Sequence, residues 1–485
     1  MIRRHITPAL VAFSALLLSC LGAAFVADSW WIAAPAGLAL GAVSIALLGA
    51  PAFPRAGILL LSTALGFFLG AGSQLRMSDA VARSFLPMPE ADVSAFSGTV
   101  NQDSSLTQDG DTVLRLAMRD ATSVHRGITA SARGNVLLFL PGDCRFSIGE
   151  QIRVIGSPVR IDTFGPEKWA AHARRSDVQT RGFRSPLWAF RSDARSWLHR
   201  AVARVGYPAS TLLEALLIGV REDVPQDLQD GFKRTGSLHI LALSGLHVTV
   251  LYGLAAGLLW FLRRQWQRFL AATLVILFFQ FLAGFMPSLL RATVMIVTGG
   301  IAFLLDRDRE PINVLAISGI ILLLIDPWQA FTLSFQLSFL ALAGILVIGS
   351  LVQRPLASSF PRFLLLAFAM SAGAQAATLP LVIGRFASWY PSGLVAGILL
   401  VPLTTAYLWA GLAWLPLSLV PWTLLHDVCA RLFGLFYDVI RACAVTFARI
   451  PGFSFSSSAV PWLAAGTGLV VLAAAVALPL KRGRA

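Results

Sequence analysis

"HILALSGLHVTVLYGLAAGLLWFLRR", residues 239–264, decides how this chain is read. It is apolar over the ~20 residues that a bilayer-crossing helix needs, and it closes on a basic pair. Its first half nevertheless holds His239, Ser244 and His247, where a lipid-facing helix would carry only Leu, Ala and Val. Gly245 follows Ser244, so the helix is expected to be broken or locally irregular. Non-helical backbone survives at membrane depth only where protein or a water-filled cavity surrounds it.

Working outward, the same apolar character recurs. Spans or broken spans are expected at 9–27, 31–49, 57–75, 238–262, 268–284, 287–305, 311–325, 328–350, 363–383, 393–418 and 459–480. The 485 residues are 56% hydrophobic and 13% charged, where soluble domains carry about 25% charged residues. A soluble globular enzyme is excluded; the fold class is a polytopic α-helical membrane protein. Arg3, Arg4 and "LLSC" before Leu21 have the look of a lipoprotein signal, but the apolar run continues to Ala27 and two spans follow, so a retained helix is expected. The Arg/Lys bias puts Arg3, Arg4, Arg55, "RRQWQR", "DRDRE", Arg354, Arg362 and the terminal "KRGR" inside. Both termini are then cytoplasmic in a cytoplasmic (inner) cell membrane, with residues 76–237 outside.

That outer segment changes character. "FSGTV", "TVLRLAM", "NVLLFL", "QIRVIGSPV" and "DVQTRGF" are short β-prone runs separated by turn signals such as "QDGD" and "PGD". Five strands predict an inserted small β-barrel, OB-like, over 92–184. Cys144 is the one cysteine of this domain, so no internal disulfide braces it. Residues 76–167 carry 9 Arg against 11 acidic residues, whereas 168–204 carry 9 Arg plus Lys against Asp177 and Asp193. Arg174, Arg175, Arg181, Arg184, Arg191, Arg195, Arg200 and Arg204 alternate there with Trp169, Phe183, Trp188, Phe190 and Trp197. This pattern suits either single-stranded nucleic acid or, for 186–205, an amphipathic helix on anionic lipid. Amphipathic helices at the membrane surface are expected over 185–237, with Asp223 before Pro225 starting one helix and Gly236 ending it near Lys233 and Arg234.

The polar residues of the apolar core admit three readings. His239 and His247 are eight apart with no third ligand nearby, so no metal is expected. Ser244 and His247 are three apart and able to hydrogen-bond, but neither an oxyanion hole nor an orienting acid is visible for a nucleophile. Lining a polar path, or tying helices together, fits better. Arg291 in "GFMPSLLRATVMIV", with Asp326, Ser334, Gln336 and Ser338 in "DPWQAFTLSFQLSFLALAG" and Ser371, Gln375 and Thr378 in "SAGAQAATLPL", extends that path through the central spans. The segment 421–450, with His426, Asp427, Arg431, Asp438, Arg441 and Arg449, either lies on the outer surface, with 393–418 re-entrant around Pro402, or crosses inside the bundle.

"ALLIGVREDVPQDLQDGFKRTGSLHILALSGLHV", "GFMPSLLRATVM", "DPWQAFTLSFQLSFLALAGIL" and "AQAATLPL" resemble, in this order, the ComEC family of competence DNA-uptake channels. The resemblance implies three N-terminal helices (1–75), the β domain, a competence-type core (238–350) and C-terminal helices (361–485). In the β domain, "DTFGPEKW" departs from the family's Asn-Pro-Gly stretch before Phe-Asp. The implied function is import of single-stranded DNA across the membrane during natural transformation. His239, Ser244, His247, Arg291, Gln336 and Gln375 would line the path, and Arg174, Arg175, Arg181, Arg184, Lys233 and Arg234 would contact DNA or the membrane surface. Implied partners are membrane lipid, a cytoplasmic helicase or ATPase, single-strand-binding proteins, and DNA-receptor and pilus components outside. Many members carry a C-terminal metallo-β-lactamase-like domain. This sequence, ending at Ala485, has no His-x-His-x-Asp-His and resembles a short form, so either a separate protein supplies the nuclease or strand separation occurs elsewhere. No Walker motif, nuclease motif or cofactor signature appears, and a non-enzymatic channel is expected. The readings from other classes are a membrane hydrolase of a lipid-linked substrate using Ser244 and His247, and a small-solute secondary transporter.

Overall fold

The computed structural model describes residues 86–455, apart from 87, 108–109, 162–166, 308–309 and 354–360, together with 12, 13, 16 and 65. The spans expected at 9–27, 31–49 and 57–75 otherwise lie outside the described residues, as does 459–480. The chain divides into two compact units, 71–199 and 1–70 with 200–485.

In the first unit the strands form because apolar and polar residues alternate. In β2 (Thr112–Ser123), Leu114, Leu116 and Met118 are buried while Arg115 and Arg119 are exposed. Its neighbours are β1 (Ala95–Leu106) and β3 (Ile128–Leu140), followed in sequence by β4 (Glu150–Ile155), β5 (Val159–Arg160), β6 (Glu167–His172) and β7 (Val178–Phe183). The five expected strands all form. The sheet has seven, in the order β5-β6-β3-β2-β1-β4-β7. β6 joins β3 in parallel while β4 and β7 extend the β1 side. The pairing is therefore open at β5 and β7 and does not close into a barrel among the described residues.

Helix α1 (Pro186–Ala203) follows, and the boundary drawn at 184 from composition falls inside this unit. Two of the arginines that read as surface cations have a structural role instead. Arg191 is fully buried and donates to both carboxylate oxygens of Asp103 on β1, at 2.8 and 2.6 Å. Arg195 approaches the same carboxylate at 3.3 Å, and the Ile148 amide donates to it at 2.8 Å. Gly149 (φ +84°) passes Trp188 so closely that a Cβ would lie 2.4 Å from the ring. Leu187, Phe190 and Trp197 remain exposed.

The second unit is helical. It comprises α2 (Ala209–Ile218), α3 (Gln226–Arg234), α4 (Gly245–Leu258), α5 (Gln265–Ala283), α6 (Pro287–Leu304), α7 (Pro311–Ile325), α8 (Leu333–Gly344), α9 (Arg362–Phe386), α10 (Gly393–Leu417) and α11 (Thr423–Ala448). Among the described residues, five segments, Leu238–Leu258, α5, α6, α9 and α10, are long and apolar enough to cross a membrane. α10 runs unbroken through Pro402, so the re-entrant alternative is not what forms. α11 has a buried face of Phe433, Tyr437, Ile440 and Ala444, and an exposed apolar stripe of Leu424, Val428, Leu432, Leu435 and Val439. Its Arg441 pairs with Asp227 of α3. Tyr407 and Trp414 on α10 are buried and donate to the carbonyls of Ala209 (2.7 Å) and Ala201 (2.9 Å).

The Asp103 latch predicts a pH dependence. Burial alone would raise its carboxyl, but the Arg191 hydrogen bonds and the charges of Arg195 and Arg191 outweigh burial and hold it below its usual 3.8. Its stabilisation is thus fully present above that value and is lost as pH falls through the lower folded value. Acidification should loosen α1 and the Ile148 amide in wild type, read by hydrogen exchange, and Asp103→Asn should show a flatter response in that window. At neutral pH Arg191→Met should destabilise the unit by roughly 1.5–3 kcal/mol, the loss of charge-assisted hydrogen bonds to a carboxylate that Arg195 and the Ile148 amide still hold.

Candidate functional site

The site begins where α3 ends. Asp223 does not cap α3; Pro225 stands at the N-cap and Gln226 begins the helix. Gly236 closes it as expected, with φ +64°, a Ser237 N–H to Phe232 carbonyl bond of 2.8 Å and a Gly236 N–H to Lys233 carbonyl bond of 3.0 Å. A short 3-10 turn, Leu238–Ile240, precedes the break. α4 then starts at Gly245 with Ser244 as N-cap.

The Ser244–His247 relationship is a capping box. The Ser244 backbone N–H donates to His247 Nδ1 at 3.1 Å, and Ser244 Oγ lies 2.9 Å from the same nitrogen. The His247 amide donates to the Ser244 carbonyl at 3.1 Å. Nδ1 is therefore an acceptor in this network, which leaves the ring proton on Nε2. A Ser–x–x–Glu/Gln box uses the same geometry; here an imidazole supplies the acceptor at the third helical position. His247 Nδ1 thus satisfies the Ser244 N–H at a helix start, with the serine hydroxyl within hydrogen-bond reach of the same nitrogen.

This break borders a cavity of about 120 Å³ lined by His239, Ser244, His247 and Leu246 on one side and Val401, Thr404, Thr405 and Leu408 of α10 on the other. His239 is exposed at its edge, whereas His247 is buried. Thr404 and Thr405 are additions that sequence reasoning missed; the signal was two hydroxyls directly after Pro402. They donate to the Leu400 and Val401 carbonyls at 2.7 and 2.6 Å, which leaves their oxygen lone pairs for the cavity.

The other predicted path residues stand apart from this cavity. α6 reaches the break from behind: Ser288 Oγ donates to the Leu243 carbonyl at 2.6 Å, and a Cβ on Gly245 would meet the Ala292 methyl at 3.3 Å. Arg291, between them in sequence, turns instead to Ser334 of α8 through Nη2 at 2.9 Å. It is 4% exposed, and its Nε and Nη1 have no partner. Gln336 donates to the Ala330 carbonyl at 2.8 Å and ties α8 to the 3-10 turn Pro327–Phe331. Gln375 on α9 sits where α10 starts; a Cβ on Gly393 would approach its Nε2 at 3.0 Å and the Thr235 carbonyl at 2.5 Å. Lys233 and Arg234 are exposed at the end of α3. On the β unit Arg174, Arg175, Arg181 and Arg184 are exposed, with Arg175 stacked over Phe146 at 4.8 Å.

A membrane-type helical unit with a helix broken at a cluster of polar side chains defines the class. Residues 216–482, more than half of the chain, match the family described as "Competence protein". The chain belongs to that family. It is 30% identical to ComE operon protein 3 of Bacillus subtilis (strain 168) over 203 residues, 41% of this chain and 25% of that protein. It is 29% identical to an uncharacterized protein of Aquifex aeolicus (strain VF5) over 224 residues, 45% of this chain and 52% of that one. It is also 30% identical to the uncharacterized protein YcaI of Escherichia coli (strain K12) over 148 residues, 29% of this chain and 20% of that one. The chain thus matches between a fifth and about half of these relatives' lengths. No solved structure matches it significantly.

The capping geometry predicts a graded series. Ser244→Ala should lower stability by about 1 kcal/mol, the usual net worth of one hydrogen bond, here Ser244 Oγ to His247 Nδ1. Ser244→Thr and His247→Gln should keep most of it, because each retains the required acceptor. Thermal unfolding of the detergent-solubilised protein checks the order, and His247→Gln falling below His247→Ala would contradict it.

Proposed function

We propose that this chain forms the passage by which a single DNA strand crosses the cytoplasmic membrane during natural transformation. The observation that carries the proposal is the helix break itself, whose small and mainly apolar cavity is bordered by His239, Ser244, His247, Thr404 and Thr405 within an otherwise apolar helical unit. Membership of the competence family supplies the biological setting. A strand with one charge per nucleotide needs donors and dipoles along its route, and sequence-neutral passage rests on backbone contacts and stacking. Arg291 fits such a route, since a buried guanidinium with two unpaired edges calls for an anionic partner.

In this reading the termini are cytoplasmic and residues 92–184 form a β domain outside, an open sheet in place of the expected OB-like barrel, flanked by 1–75, 185–237, 238–350 and 361–485 as the remaining divisions. Its exposed arginines at 174, 175, 181 and 184 meet DNA or headgroups. A cytoplasmic helicase or ATPase, single-strand-binding proteins, and outer receptor and pilus components complete the machinery.

The test is uptake of labelled DNA in a deletion strain complemented with wild type or Arg291→Ala. Deletion should leave DNA outside the membrane, wild type should restore entry, and Arg291→Ala at normal protein level should restore at most about a tenth of it, the effect of about 1.4 kcal/mol. Normal import by the deletion strain, with no paralogue present, would refute the proposal.

A further inference from the structure

One end of the helical unit collects cations and aromatic rings from three separate helix ends. α9 ends past Arg385 and runs into strand β8 (Ser388–Trp389), which pairs antiparallel with β9 (Phe453–Ser454) after α11. The ribbon is anchored by the Phe455 N–H to Ala387 carbonyl bond at 2.8 Å. Trp389 and Phe453 stack across it, ring centres 5.7 Å apart and planes at 16°. Tyr390 packs against Gly452, where a Cβ would lie 2.4 Å from its ring.

α3 brings the remaining cations to the same place. It runs beside α11, with Asp227 against Arg441 and Gly231 against Ala444, so Arg234 and Arg449 finish at the same level. Ser392 Oγ donates to the Arg234 carbonyl at 3.4 Å, and Gly236 faces Tyr390. Lys233, Arg234, Arg385 and Arg449 are all exposed, and none makes an ion pair with a described residue, Asp230 one turn back on α3 included. Phe453 is 55% exposed. The loop that leaves this end, Thr235–Ser237, leads directly to His239 at the cavity.

From these placements we infer that the β8–β9 ribbon with Lys233, Arg234, Arg385 and Arg449 is the docking site where a single-stranded nucleic acid enters the passage, its phosphates on the cations and its bases on Trp389 and Phe453. The inference rests on the channel reading above. Helix C-termini attract cations through their dipoles, and aromatic rings also sit at headgroup level. Two observations favour the strand. In the proposed orientation this end faces outward, where the positive-inside bias leaves four unpaired cations unexplained. The rings are held by a protein ribbon beside the cavity loop, in the combination of charge and stacking that sequence-neutral strand binding uses.

The experiment measures binding of a fluorescent 20-mer oligothymidylate to the full chain in nanodiscs of phosphatidylcholine, across a salt series. A variant with Lys233, Arg234, Arg385 and Arg449 all changed to Gln should bind more weakly, with a log–log salt slope smaller by about 0.7 for each phosphate no longer neutralised. Phe453→Ala should weaken binding by at least about fivefold while leaving the slope unchanged. A 5-iododeoxyuridine oligomer should crosslink at Trp389 or Phe453 in the unaltered chain, which needs no variant to fold. If wild type binds and both variants match it, the docking site lies elsewhere although the channel reading stands. If the variants lose only their association with anionic-lipid nanodiscs, this end is a headgroup anchor and the inference fails. If wild type binds no strand at all, the channel reading falls with it.

Discussion

A helix that stops inside an apolar layer leaves backbone donors and acceptors with no water to meet them, and the segment 239–248 is arranged around that constraint. Ser244 and His247 satisfy donors at the start of α4, and Ser288 satisfies the Leu243 carbonyl on the other side of the break. The break is therefore a built feature, tied to α6 and facing α10. Without it Leu238–Leu258 would be an ordinary apolar span and no cavity would bring Ser244 and His247 up to Thr404 and Thr405 of α10. Arg291 belongs to the same economy of polar groups, because α6 presents Ser288 and Ala292 to the break while turning its guanidinium to α8.

Close backbone approach sets the rest of the bundle. The helical path after α8 widens into a π-turn, Ile345–Gly349, against α9. Gly344 and Gly373 meet so closely that a Cβ on the first would lie 2.2 Å from the second's carbonyl oxygen, and one on Gly373 would lie 2.7 Å from the Gly349 nitrogen. A π-turn adds a residue to one turn, and here the bulge is accommodated only because both facing surfaces lack side chains. Apolar helices in lipid gain little from burying more apolar surface, so such contacts are what hold them together.

Much of this was legible in the residues, and what was missed has physical reasons. Hydropathy located the apolar helices, and Gly245 with its polar neighbours announced the break. The function of the Ser–x–x–His spacing was not legible: the same three-residue interval serves a helix face and a capping box, and only the position of the first helical residue tells them apart. β6 escaped because "EKWAAH" offers just Trp169 and Ala171 as inward residues and no β-branched run. The Asp103–Arg191 pair joins residues 88 apart, and nothing local distinguishes that arginine from its exposed neighbours. Thr404 and Thr405 were readable as hydroxyls after a proline, but the opposing wall of a cavity is a tertiary fact.

The distribution of cations adds a last constraint. A membrane protein keeps arginine and lysine on the inner side because the charge bias sets its orientation. In the orientation proposed above, cations gathered at the outer end work against that bias and tend to be retained for what they contact. Arg441 on α11 has a structural answer in Asp227, and Arg191 on α1 has one in Asp103. Arg234, Arg385 and Arg449 have no such partner among the described residues, and each lies within the last turn or at the cap of its helix. The helix dipoles make these charges tolerable where they stand, but a dipole acts on one helix end at a time. Bringing three ends to one level, with a stacked aromatic ribbon between them, requires the parallel run of α3 and α11 and the strand pairing that joins α9 to the chain beyond α11. The same scaffold that closes the bundle therefore also concentrates its unpaired positive charge.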